Sequence, residues 1–70
     1  MSNTLEEHLE TLRQRFRAVV GTRSLTRLYY TTSVGVAPPT LQNFLLARPI
    51  TTTSLRSIEA WVEQEEQAHA

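Results

Sequence analysis

The residues able to do chemistry are of few kinds. The chain has no cysteine, and its two histidines are His8 and His69. Every acid is glutamate: Glu6, Glu7, Glu10, Glu59, Glu63, Glu65 and Glu66. Every cation is arginine: Arg13, Arg15, Arg17, Arg23, Arg27, Arg48 and Arg56. Without thiolates there is neither a disulfide nor a cysteine metal site. His8 has no second ligand spaced to join it and reads as a partly exposed helix residue. There is no Gly-rich phosphate loop and no H-E-x-x-H string. The glutamates gather at the two ends, with no nearby base to complete an acid–base pair. The expectation is therefore no enzyme, no metal and no cofactor.

What remains is charge. The net charge is zero, but residues 11–58 hold all seven arginines and no acid, while the glutamates lie in 1–10 and 59–70. Distribution says more about partners than the sum does. Two readings stay open. Glu6 and Glu7 suit a helix start and Arg13 to Arg17 a helix end. Alternatively, the basic middle is a footprint for phosphate.

A chain of 70 residues is one domain at most. At this length folding buries only about 60% of the unfolded surface, and the core supplies roughly 3–5 kcal/mol. Oligomerisation is the stabilising device left to it. No apolar run approaches the length of a membrane span. The N-terminus has no basic stretch followed by an apolar one, so the expected location is cytoplasmic.

The elements follow from periodicity. Thr4-Leu5-Glu6-Glu7 has the spacing of a capping box. Leu5, Leu9, Leu12, Phe16 and Val19 or Val20 then recur at a helical period, which predicts a helix over residues 5–20 with Gly21 as its stop. Next, Ser24 can cap a helix carrying Leu25, Leu28, Tyr29 and Thr32 on one face. The run Leu28 to Val34 is also rich in strand formers, so residues 27–34 read as helix or strand. Gly35 suits a tight turn, and Pro38 and Pro39 can occupy a first helical turn. A short helix follows to Ala47, with Leu41, Phe44 and Leu45 on one face, ended by Pro49. Thr51 to Ser54 offer N-cap oxygens. Leu55, Ile58, Trp61 and Val62 line a last helix whose C-terminal glutamates oppose the dipole. Residues 66–70 are expected to fray or to find a basic partner.

With Gly35 as the turn glycine, a twenty-residue unit runs from Arg27 to Leu46, with Tyr30, Val34, Val36, Leu41 and Phe44 inside. The stretch Gly35-Val36-Ala37-Pro38-Pro39-Thr40-Leu41-Gln42-Asn43-Phe44-Leu45, followed by Thr53-Ser54-Leu55-Arg56-Ser57-Ile58-Glu59, resembles the lambda-repressor-like, Cro-like helix-turn-helix domains. About 35 residues carry the likeness. Departures are Thr31 where that family has alanine, Ala37 in place of its serine, the double proline, and Ser24-Leu25-Thr26 in place of a glutamine opening the second helix. The resemblance implies an all-α domain of four to five helices. It also implies a small sequence-specific regulator of transcription, phage or prokaryotic repressor in style, that inserts its third helix in the major groove.

On that reading Pro39, Gln42, Asn43 and Leu46 point away from the buried side of the third helix and face bases, where carboxamides can read adenine. Arg27 and Arg48 suit phosphates, as do the N–H groups opened by Thr52, Thr53 and Ser54. The implied partner is double-stranded operator DNA, palindromic and bound by a homodimer. Trp61 and Val62, or their neighbours, are the expected dimer contact, and Trp61 also reads as core. The alternative is a protein-interaction module of the same fold that binds a transcription or regulatory protein through its acidic last helix.

Overall fold

The computed structural model describes residues 4–68, with side chains from Leu5 onward, and holds four helices. They are α1 (Thr4–Arg23), α2 (Arg27–Ser33), α3 (Pro38–Leu45) and α4 (Thr52–Ala68). The architecture is an all-α bundle in which the long helices α1 and α4 pack on each other and α2 and α3 close the remaining side. The strand considered for residues 27–34 does not form.

Helix α1 runs past Gly21 and ends on Ser24, whose φ of 54° is left-handed. The Leu25 N–H donates to the Val20 carbonyl at 3.0 Å and the Ser24 N–H to that of Gly21 at 3.3 Å. These two bonds are a Schellman stop, and the pair Val20–Leu25 that accompanies it packs against the core. Ser24 therefore terminates α1 and does not cap α2. The expected Thr4–Glu7 capping box depends on the Thr4 side chain, which lies outside the described residues.

Thr26 caps α2: its hydroxyl accepts the Tyr29 N–H at 3.1 Å. The face expected from Leu25, Leu28, Tyr29 and Thr32 is not the inner one. Leu28 is 75% exposed, and Tyr29 and Thr32 also face solvent. Tyr30 and Val34 point inward instead. The strand-forming types are accommodated because Thr31, Thr32 and Ser33 donate to carbonyls one turn back, at 2.6, 2.7 and 2.6 Å. The Thr31 hydroxyl finds its acceptor this way.

The turn to α3 is built on Gly35, at φ 84°. Ala37 is extended, as a residue before proline should be, and Pro38 and Pro39 open α3 where their missing N–H groups cost nothing. The helix closes on a second Schellman arrangement. The Arg48 N–H donates to the Asn43 carbonyl at 2.8 Å and the Ala47 N–H to that of Phe44 at 3.2 Å, with Ala47 at φ 61°. Thr51 caps α4 by accepting the Ser54 N–H at 3.2 Å.

The core consists of Leu12, Phe16, Val19, Val34, Leu41, Phe44, Ile58, Trp61 and Val62. Phe16 sits at its centre, with ring centroids 5.4 Å from Tyr30, 6.1 Å from Phe44 and 5.2 Å from Trp61. All four helices thus meet one aromatic cluster. The Trp61 indole N–H donates to the Ser33 hydroxyl at 3.2 Å, which ties the end of α2 to α4. Among the described residues no buried side-chain nitrogen or oxygen lacks a partner, and no helix is long and apolar enough to cross a membrane.

Candidate functional site

Helix α3 is fastened on three sides. Leu41 and Phe44 are each 1% exposed and anchor its inner face. The Gly35 turn fixes its entry. Arg17 of α1 donates to the Leu45 carbonyl at 3.1 Å, placing a cation at the helix C-terminus, where the dipole favours one. That contact links distant parts of the chain, and no sequence periodicity announces it.

The outer face of α3 comes out as its spacing predicts, with one qualification. Pro39, Gln42 and Leu46 are exposed, Leu46 to 53%, whereas Asn43 is half-buried. No acid lies on α3. Arg27, at the first residue of α2, and Arg48, just beyond α3, are both exposed. Thr52 and Thr53 are exposed at the start of α4; Ser54 is half-buried, and its N–H is already taken by Thr51. Only part of the anion-accepting edge expected there is open.

Apart from Arg17, on the Leu45 carbonyl, the arginines divide into two sets. Arg13 pairs with Glu10 at 2.7 Å, Arg15 with Glu66 at 2.6 Å, and Arg23 with Glu65. Arg27, Arg48 and Arg56 form no ion pair among the described residues. Sequence reasoning passes over Arg56, on the second turn of α4; its exposure is not readable from charge alone.

The paired set joins α1 to α4. Arg15 donates to both Glu66 oxygens, at 3.1 and 2.6 Å, a two-pronged contact. This hydrogen bonding holds the Glu66 carboxyl below its ordinary range and raises Arg15 above its own. The hydrogen bond from Arg13 likewise lowers Glu10. His8 and Glu59 meet at 2.7 Å. Glu65, 7% exposed, is the most buried charge. One of its oxygens accepts from Arg23 of α1 and the other from the Tyr29 hydroxyl of α2 at 2.7 Å. That bond to Glu65 pushes the Tyr29 phenol up. Of the C-terminal glutamates, Glu65 and Glu66 have thus found basic partners within the chain. Helix α4 accordingly stays ordered to Ala68, where fraying was expected from residue 66; residues 69 and 70 lie outside the described residues.

The expected dimer contact is corrected. Trp61 and Val62 are 6% and 0% exposed in the single chain. They are core: Phe16 of α1 packs on Trp61, the Ser33 hydroxyl of α2 accepts its indole N–H, and Val62 has no surface left for a second copy. Elsewhere a groove of about 720 Å³ opens between the start of α1 and the segment joining α3 to α4. Among the described residues no cluster of three histidine or glutamate side chains could hold a metal ion. Compared with models of known families, with curated proteins and with solved structures, the chain matches none.

Proposed function

We propose that this domain is a small DNA-binding regulator of the lambda-repressor-like type, with α2, the Gly35 turn and α3 as its helix-turn-helix unit. One observation carries the reading. A left-handed glycine turn sets a firmly anchored α3 beside α2, and the outer face of α3 is exposed, free of acids and supplied with carboxamides. The spacing of buried Val34, Leu41 and Phe44 around Gly35 agrees with such a unit. Gln42 is the leading base reader, with Pro39 and Leu46 beside it offering apolar contact to thymine methyls. Asn43 contributes less, since it is half-buried. Arg27, Arg48 and Arg56 are the cations left for phosphates, with the open N–H groups of Thr52 and Thr53 as neutral donors.

The basic middle of the sequence shrinks on folding, because its other arginines are engaged within the chain. Three phosphates neutralised by one chain give a salt slope of about −2.7. A single module reads too few bases to select a site, so two copies on a palindrome are required. The molecule measures 36 × 25 × 18 Å. Adjacent copies can therefore set their α3 helices roughly 34 Å apart, one turn of the duplex.

The alternative, a protein-interaction module using the acidic last helix, is weakened by the same pairing. Glu59, Glu65 and Glu66 have partners on α1 or α2, which leaves Glu63 as the acid of α4 without an ion pair among the described residues.

Equilibrium binding to duplexes from the DNA around its own gene, and to random duplex, at several salt concentrations, tests the reading. Gln42→Ala is expected to cost about 1–3 kcal/mol on the selected site and little on random DNA. Arg27→Ala and Arg56→Ala should weaken both alike and lower the slope by about one unit each. A folded wild-type protein with no salt-dependent duplex binding refutes it.

A further inference from the structure

The groove beside the α3–α4 segment has the makings of a contact surface. On one wall stands the N-terminal half of α1, from Leu5 to Arg13, with Leu5 60% exposed and Leu9 half-buried. On the other stand Ile50 and Leu55, also half-buried. Leu5 opens onto the apolar side chains of Leu9, Ile50 and Leu55, so the exposed apolar surface here is a contiguous patch and not a single side chain.

The rim carries both signs. The α1 wall carries Glu6, Glu7 and the Glu10–Arg13 pair and is acidic in sum, whereas the other wall carries Arg48; Glu7 and Arg48 form no ion pair among the described residues. A basic partner would meet Arg48 badly, and an acidic one would meet Glu7 badly. A two-fold-related copy of the same surface meets neither difficulty, since the Glu7 wall of each copy faces the Arg48 wall of the other.

We infer that two copies of this chain associate through the groove between the start of α1 and the α3–α4 segment, with Glu7 of each copy against Arg48 of the other. The inference rests on the paired DNA-binding reading and gives that pair its surface; because Arg48 faces Glu7 across the pair, Arg27 and Arg56 of each copy are the phosphate cations of the paired complex. The wall formed by Ala47 to Ile50 follows directly on α3, so the contact draws the C-terminal ends of the two α3 helices towards one axis. The patch is smaller than a standard interface of about 20–30 residues a side, so the dimer is weak in free solution and is held fully on DNA.

Sedimentation equilibrium of the full chain without DNA, up to high micromolar concentration, tests the surface apart from any DNA binding. The wild type should self-associate. Glu7→Arg and Arg48→Glu each turn two attractive pairs into repulsive ones and should weaken association by about tenfold or more. Both residues are exposed and outside any ion pair among the described residues, so each variant should keep the wild-type helix content. Leu5→Glu should weaken association similarly. The decisive arm mixes the Glu7→Arg variant with the Arg48→Glu variant. In a mixed pair both contacts again join opposite charges, so heterodimers should form at least as well as the wild-type dimer. The double variant Glu7→Arg, Arg48→Glu should also recover. A wild type that stays monomeric, reversals without effect, or a mixture that fails to associate overturns the inference. Titration of wild-type protein with duplex judges the DNA reading separately, so each can fail alone.

Discussion

Glu65 is where a single atom-scale change should cost most. Its carboxylate lies 7% exposed on α4, between Arg23 of α1 and Tyr29 of α2. Glu65→Gln keeps the shape and removes the charge. The carboxamide can still accept one hydrogen bond, but it then turns an N–H group towards the other donor. Arg23 loses its counter-charge. A fully buried pair broken on one side costs about 3–5 kcal/mol. The Arg23 side chain is 28% exposed, so water recovers part of that loss. A charged hydrogen bond is worth about 1.5–3 kcal/mol, which puts the cost near about 2 kcal/mol. Set against roughly 3–5 kcal/mol from a core of this size, the change removes about half the stability. For a domain this small it lowers the melting midpoint by about 8–16 °C.

Thermal and urea denaturation followed by helix circular dichroism reads the effect. Arg23→Gln in the Glu65→Gln background should cost much less than in the wild type, because the two side chains share one interaction. Tyr29→Phe should cost less than Glu65→Gln, since it removes one donor and leaves the ion pair. A Glu65→Gln midpoint within about 2 °C of the wild type refutes the clamp, as does strict additivity with Arg23→Gln.

The helix ends give the next expectations. Ala47→Gly and Ser24→Gly should each stabilise by up to about 1 kcal/mol by relieving left-handed residues, whereas Gly35→Ala should destabilise by about 1–2 kcal/mol although its Cβ would meet open space. Gly21→Ala, inside α1 and facing nothing within 4 Å, should stabilise by about 0.5–1 kcal/mol; urea midpoints check all four. With pH, the lowered carboxyls of Glu66 and Glu10 contribute stability that is present above their unfolded values and lost as pH falls through the folded ones, an acid limb below about 4.5. The raised Tyr29 phenol works in the opposite sense: its contribution is complete below about 10 and lost at higher pH. Melting midpoints across pH should show both limbs, and Arg15→Gln should flatten the acid one. Trp61→Phe should cost about 1–3 kcal/mol through lost volume and the lost N–H bond to Ser33, read by urea titration.

Much of the fold is legible in the sequence because it rests on local chemistry. The long amphipathic period gives α1, the Gly35 turn and the double proline give the entry of α3, and the inner positions of α3 follow from its spacing. The misreadings have physical causes. Gly21 looks like a stop because glycine adopts left-handed backbone freely, yet the chain places Ser24 there, where the Val20–Leu25 contact closes the end. Leu28 belongs inside by its type, but α2 is rotated so that Tyr30 meets Phe16, a choice made by tertiary packing. Trp61 reads as core or interface from α4 alone; the ring that covers it comes from α1, and periodicity within α4 cannot see it. The open face of α3 is visible in its spacing, whereas Arg17 on the Leu45 carbonyl joins residues 28 positions apart and leaves no local trace.

Charge shows how folding rewrites a sequence-level inference. Read along the chain, a basic middle lies between acidic ends that cancel it, and the zero sum argues against a polyanionic partner. In the bundle the cancellation is local. Glu65 and Glu66 of the last helix reach Arg23 and Arg15 of the first, so two negative charges are consumed along the α1–α4 seam. Glu10 takes up Arg13 in the same way. With Arg17 on the Leu45 carbonyl, the three arginines that remain are not a random subset. Arg27 opens α2, Arg48 leaves α3 and Arg56 lies near the start of α4, so all three sit at or near the ends of the elements around the Gly35 turn. Neutralising the seam fastens the two long helices, and α3 carries no acid in its own sequence. A chain neutral in sum can thus keep α3 free of acids while Arg27, Arg48 and Arg56 stay outside the ion pairs of the described residues.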